Sequence, residues 1–138
     1  MLLEFALAVP IFLFVLLGGL QLAIIAMQDY NVRQVTRETA RWLAIHPDTT
    51  DAAVLAHARA IAMAGMRPES FSSVVATPAC AALSGGRCSG RDAGSTVSVE
   101  IRYSLTQNLF LPTSFGLGSA RFAFPTSLPP QRVSVMVE

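Results

Sequence analysis

At 138 residues, with 10 basic and 9 acidic side chains and a net charge of +1, the chain is too short for two ordinary domains beside its apolar N-terminus. The same balance gives no electrostatic case for nucleic acid or for a strongly charged partner. Hydrophobic residues make up 52% and the mean hydropathy is +0.49, high for a soluble protein, with the first 27 residues supplying much of the excess.

The N-terminus reads MLLEFALAVPIFLFVLLGGLQLAIIAM. Residues 5–27 carry no charge, and Gln21 is the one strongly polar residue among them. At 1.5 Å per residue this run is about 33 Å long, matching a hydrocarbon core of about 30 Å. Glu4 stands ahead of it, and the first basic side chain in the sequence is Arg33. A carboxylate taken into hydrocarbon costs several kcal/mol, so an acid at the edge of a span marks a functional site. Pro10 lacks an amide hydrogen, and Gly18 and Gly19 each weaken a helix by about 1 kcal/mol relative to Ala. Any departure from regular helix is therefore expected at these three weak points. The glycines would also let another helix approach closely.

The helix is expected to continue through QDYNVRQVTRETARWLAI, which has no Gly or Pro before Pro47. Val32, Val35, Thr39, Trp42 and Leu43 fall on one stripe, while Arg33, Arg37, Glu38 and Arg41 fall mostly on the other side. The reading is one helix over residues 1–45, about 65 Å long, apolar all round in its first half and amphipathic in its second. Pro47 ends it, because the residue before a proline avoids helix. Asp48, Thr49 or Thr50 can cap a second helix with Val54, Leu55, Ala58, Ile61 and Ala62 on its apolar face and Gly65 as its stop. His57 on this helix reads as a boundary residue rather than a ligand.

Beyond Gly65 the period changes to two. FSSVVAT reads as a strand, and STVSVEIRYSLTQ alternates Val97, Val99, Ile101, Tyr103 and Leu105 with polar residues. NLFLPTSFGLGS reads as a turn-rich apolar connection, ARFAFPT as a short strand and QRVSVMVE as the last one. Three or four strands after a helix suggest an antiparallel meander packed on that helix. The fold class is thus α+β: a long N-terminal helix packed on a small antiparallel sheet, with a short second helix. The domain division is 1–27 for the membrane or filament-core helix and 28–138 for the globular part.

Cys80 and Cys88 lie in a loop rich in Gly, Ser and Ala. This pattern reads as a disulfide formed in an oxidising compartment, or as two free thiols on the cytoplasmic side. Two thiols with His46 and His57 far off make a poor zinc set. No nucleophile elbow, P-loop or paired carboxylates near a His are present, and GLG at 116–118 lacks the rest of a dinucleotide fingerprint. The chain reads as neither an enzyme nor a protein with a cofactor, metal or small-molecule substrate. That every cation is Arg fits GC-rich coding as well as bidentate contacts at packed interfaces.

LLEFALAVPIFLFVLLGGLQLA followed by a long amphipathic helix resembles the N-terminus of TadE-like pilins, in the tight adherence branch of the type IV pilus superfamily. Glu4, Phe5, Ala6, Leu7, Pro10, Gly18 and Gly19 carry the resemblance, and VSVEIRYSL…FLP…SFG…RFAFP looks like the strand region of that family. The resemblance implies a structural subunit held in the inner membrane before assembly, and then polymerised with copies of itself and other pilins into an extracellular adhesive filament. In such pilins a peptidase cuts after a glycine and leaves the glutamate as residue five; here it is residue four, so the chain is expected to be processed protein short of one residue, the alternative being a true start upstream. Glu4 would then meet the N-terminal amine of a neighbouring subunit, with Phe5, Leu7, Ile11, Phe14, Leu17, Leu20 and Ile24 packed in the filament core. Arg33, Arg37 and Arg41 after the span pull the other way, since the positive-inside rule places them in the cytoplasm. The competing reading is a single-span anchoring or assembly factor that never polymerises, and a weaker third is a single-span enzyme or receptor domain.

Overall fold

In the computed structural model, which describes residues 2–117 and 120–138, the apolar run and the amphipathic segment form one helix, α1 (Leu2–Ile45). It runs unbroken through Pro10, Gly18 and Gly19, so the lost proline hydrogen bond and the weak glycines are tolerated. Val32, Val35, Thr36, Thr39, Ala40 and Leu43 are all buried, and Arg33, Arg37, Glu38 and Arg41 face outward. The Thr36 hydroxyl is satisfied by donating to the Val32 carbonyl at 2.7 Å.

The second helix, α2 (Asp51–Ala60), is capped by Thr50, whose side chain accepts from the Ala53 amide at 3.4 Å. It ends five residues before Gly65, earlier than the sequence pattern indicates. The Ala62 amide turns back to the Arg59 carbonyl at 3.3 Å, tightening the last turn. Gly65 instead takes positive φ (85°) in a turn beyond the helix. Its carbonyl accepts from Gln28 Nε2 at 2.9 Å and Asn108 Nδ2 at 3.1 Å, so tertiary bonds fix the exit of the segment.

After a 3₁₀ turn (Pro68–Ser70) come strands β1 (Phe71–Thr77), β2 (Thr96–Tyr103), β3 (Ser114–Leu117), β4 (Ala120–Ala123) and β5 (Gln131–Met136). The main sheet is antiparallel in the order β1-β2-β5, with Val99 opposite both Ala76 and Val133. Among the described residues β3 and β4 pair with each other and not with the main sheet, so the expected meander is interrupted and part of the expected connection is a strand. The expected GLG turn runs into residue 118, which lies outside the described residues. Period-two burial in β2 puts Val97, Val99, Ile101 and Tyr103 into the core. α1 packs across β2 and β5, and α2 packs against β1. Phe71 meets Tyr103 edge to face at 5.2 Å, and the Tyr103 hydroxyl accepts from the Arg67 amide at 2.9 Å.

Cys80 and Cys88 are disulfide-bonded, with Cα atoms 5.6 Å apart. Closing so short a loop stabilises the fold by about 2–3 kcal/mol in the chain-entropy treatment. The loop is also tied to the start of α2. The Cys80 amide donates to Asp51 Oδ2 at 2.9 Å, and the Asp51 amide returns a bond to the Cys80 carbonyl at 2.8 Å. The Arg91 side chain is fully buried between them, donating to Asp51 Oδ1 (2.7 Å), the Thr49 carbonyl (2.7 Å) and the Pro78 carbonyl (2.8 Å). Gly90 enables this approach: it has φ 82°, and a Cβ there would meet Pro78 at 3.2 Å. A Cys80→Ser/Cys88→Ser variant is expected to unfold at lower denaturant, by those 2–3 kcal/mol. Intact mass after alkylation without reductant should show no label on the wild-type chain.

Candidate assembly surface

The N-terminal half of α1 projects past the sheet. Among the expected core-packing residues, exposure runs from 37% at Leu17 to 69% at Phe5, with Leu7, Ile11, Phe14 and Leu20 in between. Ile24 is half-buried, because the globular part begins to cover the helix there. Glu4 is exposed in the first turn of α1, where the helix dipole favours an acid. The Met1 amine, the group that Glu4 of another copy is expected to meet, lies outside the described residues. Among the described residues, nothing stands within 4 Å of where a Cβ would sit on Gly18 or Gly19.

The globular part reaches further down α1 than the charge pattern indicates. Gln21 is fully buried, and its Oε1 accepts from the Leu111 amide at 2.8 Å. The chain from Leu105 to Leu128 leaves the main sheet, forms the β3–β4 hairpin and returns. Its base is closed by Leu105 N–H to the Thr126 carbonyl (2.9 Å) and Leu128 N–H to the Tyr103 carbonyl (3.0 Å). Between this excursion and α1 lies an apolar groove of about 500 Å³, lined by Phe14, Gly18, Gly19 and Leu22 on one side and Ala123 and Phe124 on the other.

This arrangement joins a long exposed apolar helix, an acid in its first turn and a small α+β body on its distal half. Residues 1–41 match the family model of TadE-like proteins. The match covers the apolar run with Glu4 and most of the amphipathic half, where the sequence resemblance is strongest. No curated protein and no solved structure matches the chain. Of the described part, α1 is long and apolar enough to cross a membrane by length and composition.

Sequence reasoning missed two side-chain arrangements. Arg91 sits in a Gly- and Ser-rich loop beside Asp92 and four residues after Arg87, and no sequence signal marks it out. His57, read as a boundary residue, stacks on Trp42 with ring centroids 4.2 Å apart, and His46 lies 5.0 Å from the same indole. Desolvation and then the neighbouring His46 lower the pKa of His57 below 6.5, while Glu38 acts to raise it. A base held below its unfolded value binds fewer protons when folded, so its stabilising contribution is full above pH 6.5 and declines as pH falls below it. The expected result is a lower melting temperature at pH 5.5 than at pH 7.5. His57→Gln should flatten that dependence, followed through the fluorescence of Trp42, the one tryptophan.

Proposed function

We propose that the chain is a structural subunit of an extracellular Tad-like pilus that serves surface attachment. Residues 1–27 hold it in the inner membrane before assembly and then form the filament core with the same segment of other copies. Residues 28–138 tile the outside. The observation that carries this reading is the exposed N-terminal half of α1. A helix apolar all round is not satisfied by one stripe of contact and needs lipid or several protein neighbours. Taken as a cylinder about 30 Å long and about 10 Å across, its whole lateral surface is about 900 Å², comparable to the roughly 800 Å² per partner of a stable interface.

Glu4 supplies register. Its carboxylate and the terminal amine of a neighbouring copy are each costly to desolvate alone, and a close pair offsets that cost. Such a pair fixes how far one helix slides along the next more than it adds net stability. The disulfide agrees with a domain in an oxidising compartment. The reading is tested by shearing cells and probing the released material for this chain. Its recovery in sheared filaments supports the subunit role, and its confinement to membranes favours the non-polymerising anchor.

A further inference from the structure

We propose that residues 109–112 form a second membrane contact, lying in the lipid bilayer beside α1 at the boundary remote from Glu4. The inference rests on the reading above that α1 spans the inner membrane before assembly, and it adds a lipid-facing surface on the globular part.

The first support is depth. Gln21 is fully buried, and its Oε1 accepts from the Leu111 amide at 2.8 Å. That bond pins residues 109–112 to one level of α1. With Glu4 at one boundary, about 30 Å of hydrocarbon takes up about 20 residues of helix, as far as Ile24. Gln21 then lies about 5 Å inside the other boundary, and any tilt of the helix takes it deeper. Side chains lean toward the N-terminus of a helix, so the Leu111 amide is drawn the same way. Tyr30, exposed about one turn beyond Met27, marks the headgroup level, where tyrosine rings settle.

The other placement is costly. Keeping residues 109–112 in water would end the hydrocarbon at Leu20, and about 30 Å of lipid would then draw Glu4 about 5 Å inside. A carboxylate resists that transfer, and a counter-charge beside it would have to be desolvated too. Residues 109–112 carry no such penalty in their side chains, which are Leu, Phe, Leu and Pro.

The second support is chemistry. No charged side chain stands between Arg102 and Arg121. Phe110 is 48% exposed, and Pro112 is exposed as well. At about 5 Å the segment sits as an interfacial anchor does, where headgroups meet acyl chains. Irregular backbone reaches such a level only where its polar groups are satisfied. Here the Leu111 amide is bonded to Gln21, Pro112 has no amide hydrogen, and the Asn108 amide donates to the Leu105 carbonyl at 2.8 Å. Gln21, the one strongly polar residue of the apolar run, thus serves a backbone donor at a level where water is scarce.

The test places an environment-sensitive fluorophore on single introduced cysteines of the full chain, reconstituted at low density in vesicles of phosphatidylethanolamine and phosphatidylglycerol. The native cysteines are bonded to each other, so only the introduced thiol reacts. Phe110→Cys and Pro112→Cys both stand at exposed positions, so neither label enters the core. Val15→Cys reports the span. Met136→Cys reports water, because the nearby Glu138 amide bonds the Ala44 carbonyl, about 25 Å above Met27. Lipids brominated at the headgroup end of their chains should blue-shift and quench the labels at 110 and 112. Iodide on both sides of the vesicle should quench the label at 136 and spare the other three. Labels at 110 and 112 open to iodide, with Val15 quenched by lipid, overturn this inference and leave the spanning reading intact. Labels at 110 and 112 shielded from both quenchers are covered by protein, which also overturns it. If the Val15 label is open to iodide, the spanning reading fails and this inference with it.

Discussion

Arg91→Ala should lower the stability of the globular part by about 3 kcal/mol, the low end of the range for removing one partner of a buried pair. The guanidinium is fully buried, while Asp51 is 30% exposed and partly screened, which argues for the low end. Truncation strips bonds from Asp51 Oδ1 and from the Thr49 and Pro78 carbonyls together. Arg91→Lys keeps the charge but loses the fork, so it should recover only part of the loss. Urea unfolding of the detergent-solubilised chain, followed through Trp42, measures both variants. A change below about 1 kcal/mol for Arg91→Ala would reduce the latch to a surface-grade ion pair.

Glu4→Ala should block entry into filaments while leaving the domain folded. Glu4 sits in the first turn of a helix whose covered stretch begins at Gln21, so its loss leaves the packing of β1, β2 and β5 alone. In the proposed assembly, removal of the carboxylate would leave the neighbour's amine buried without its counter-charge, which is the costly outcome. Glu4→Gln should be milder, because the amide oxygen still accepts a hydrogen bond. The measurement compares chain in sheared filaments with chain retained in membranes, and circular dichroism checks the fold. Wild-type filament yield from Glu4→Ala would remove the role assigned to this residue.

Much of this molecule is legible because its periodicities are strong. The apolar run, the stripe from Val32 to Leu43 and the alternation in β2 are each imposed by burial of one face, and each appears as read. The disulfide was legible from two cysteines in one loop of small residues. What was not legible depends on contacts distant in sequence. α2 stops at Ala60 because the exit to Gly65 is held by Gln28 and Asn108, 37 and 43 residues away. The hairpin's departure from the main sheet follows from Leu105 and Leu128 closing its base, which alternation alone does not encode. Gln21 stood out as the polar residue of the apolar run, yet its partner, the Leu111 amide, lies 90 residues on.

The central claim is that the apolar half of α1 is buried among copies of itself. A cryo-EM reconstruction of sheared filaments tests it most directly. The account predicts residues 5–27 of each copy in the filament core, with Phe5, Ile11, Phe14 and Leu17 against helices of other copies and the sheets outside. Filaments in which these side chains face water, or in which the chain is held through its sheet alone, would contradict it.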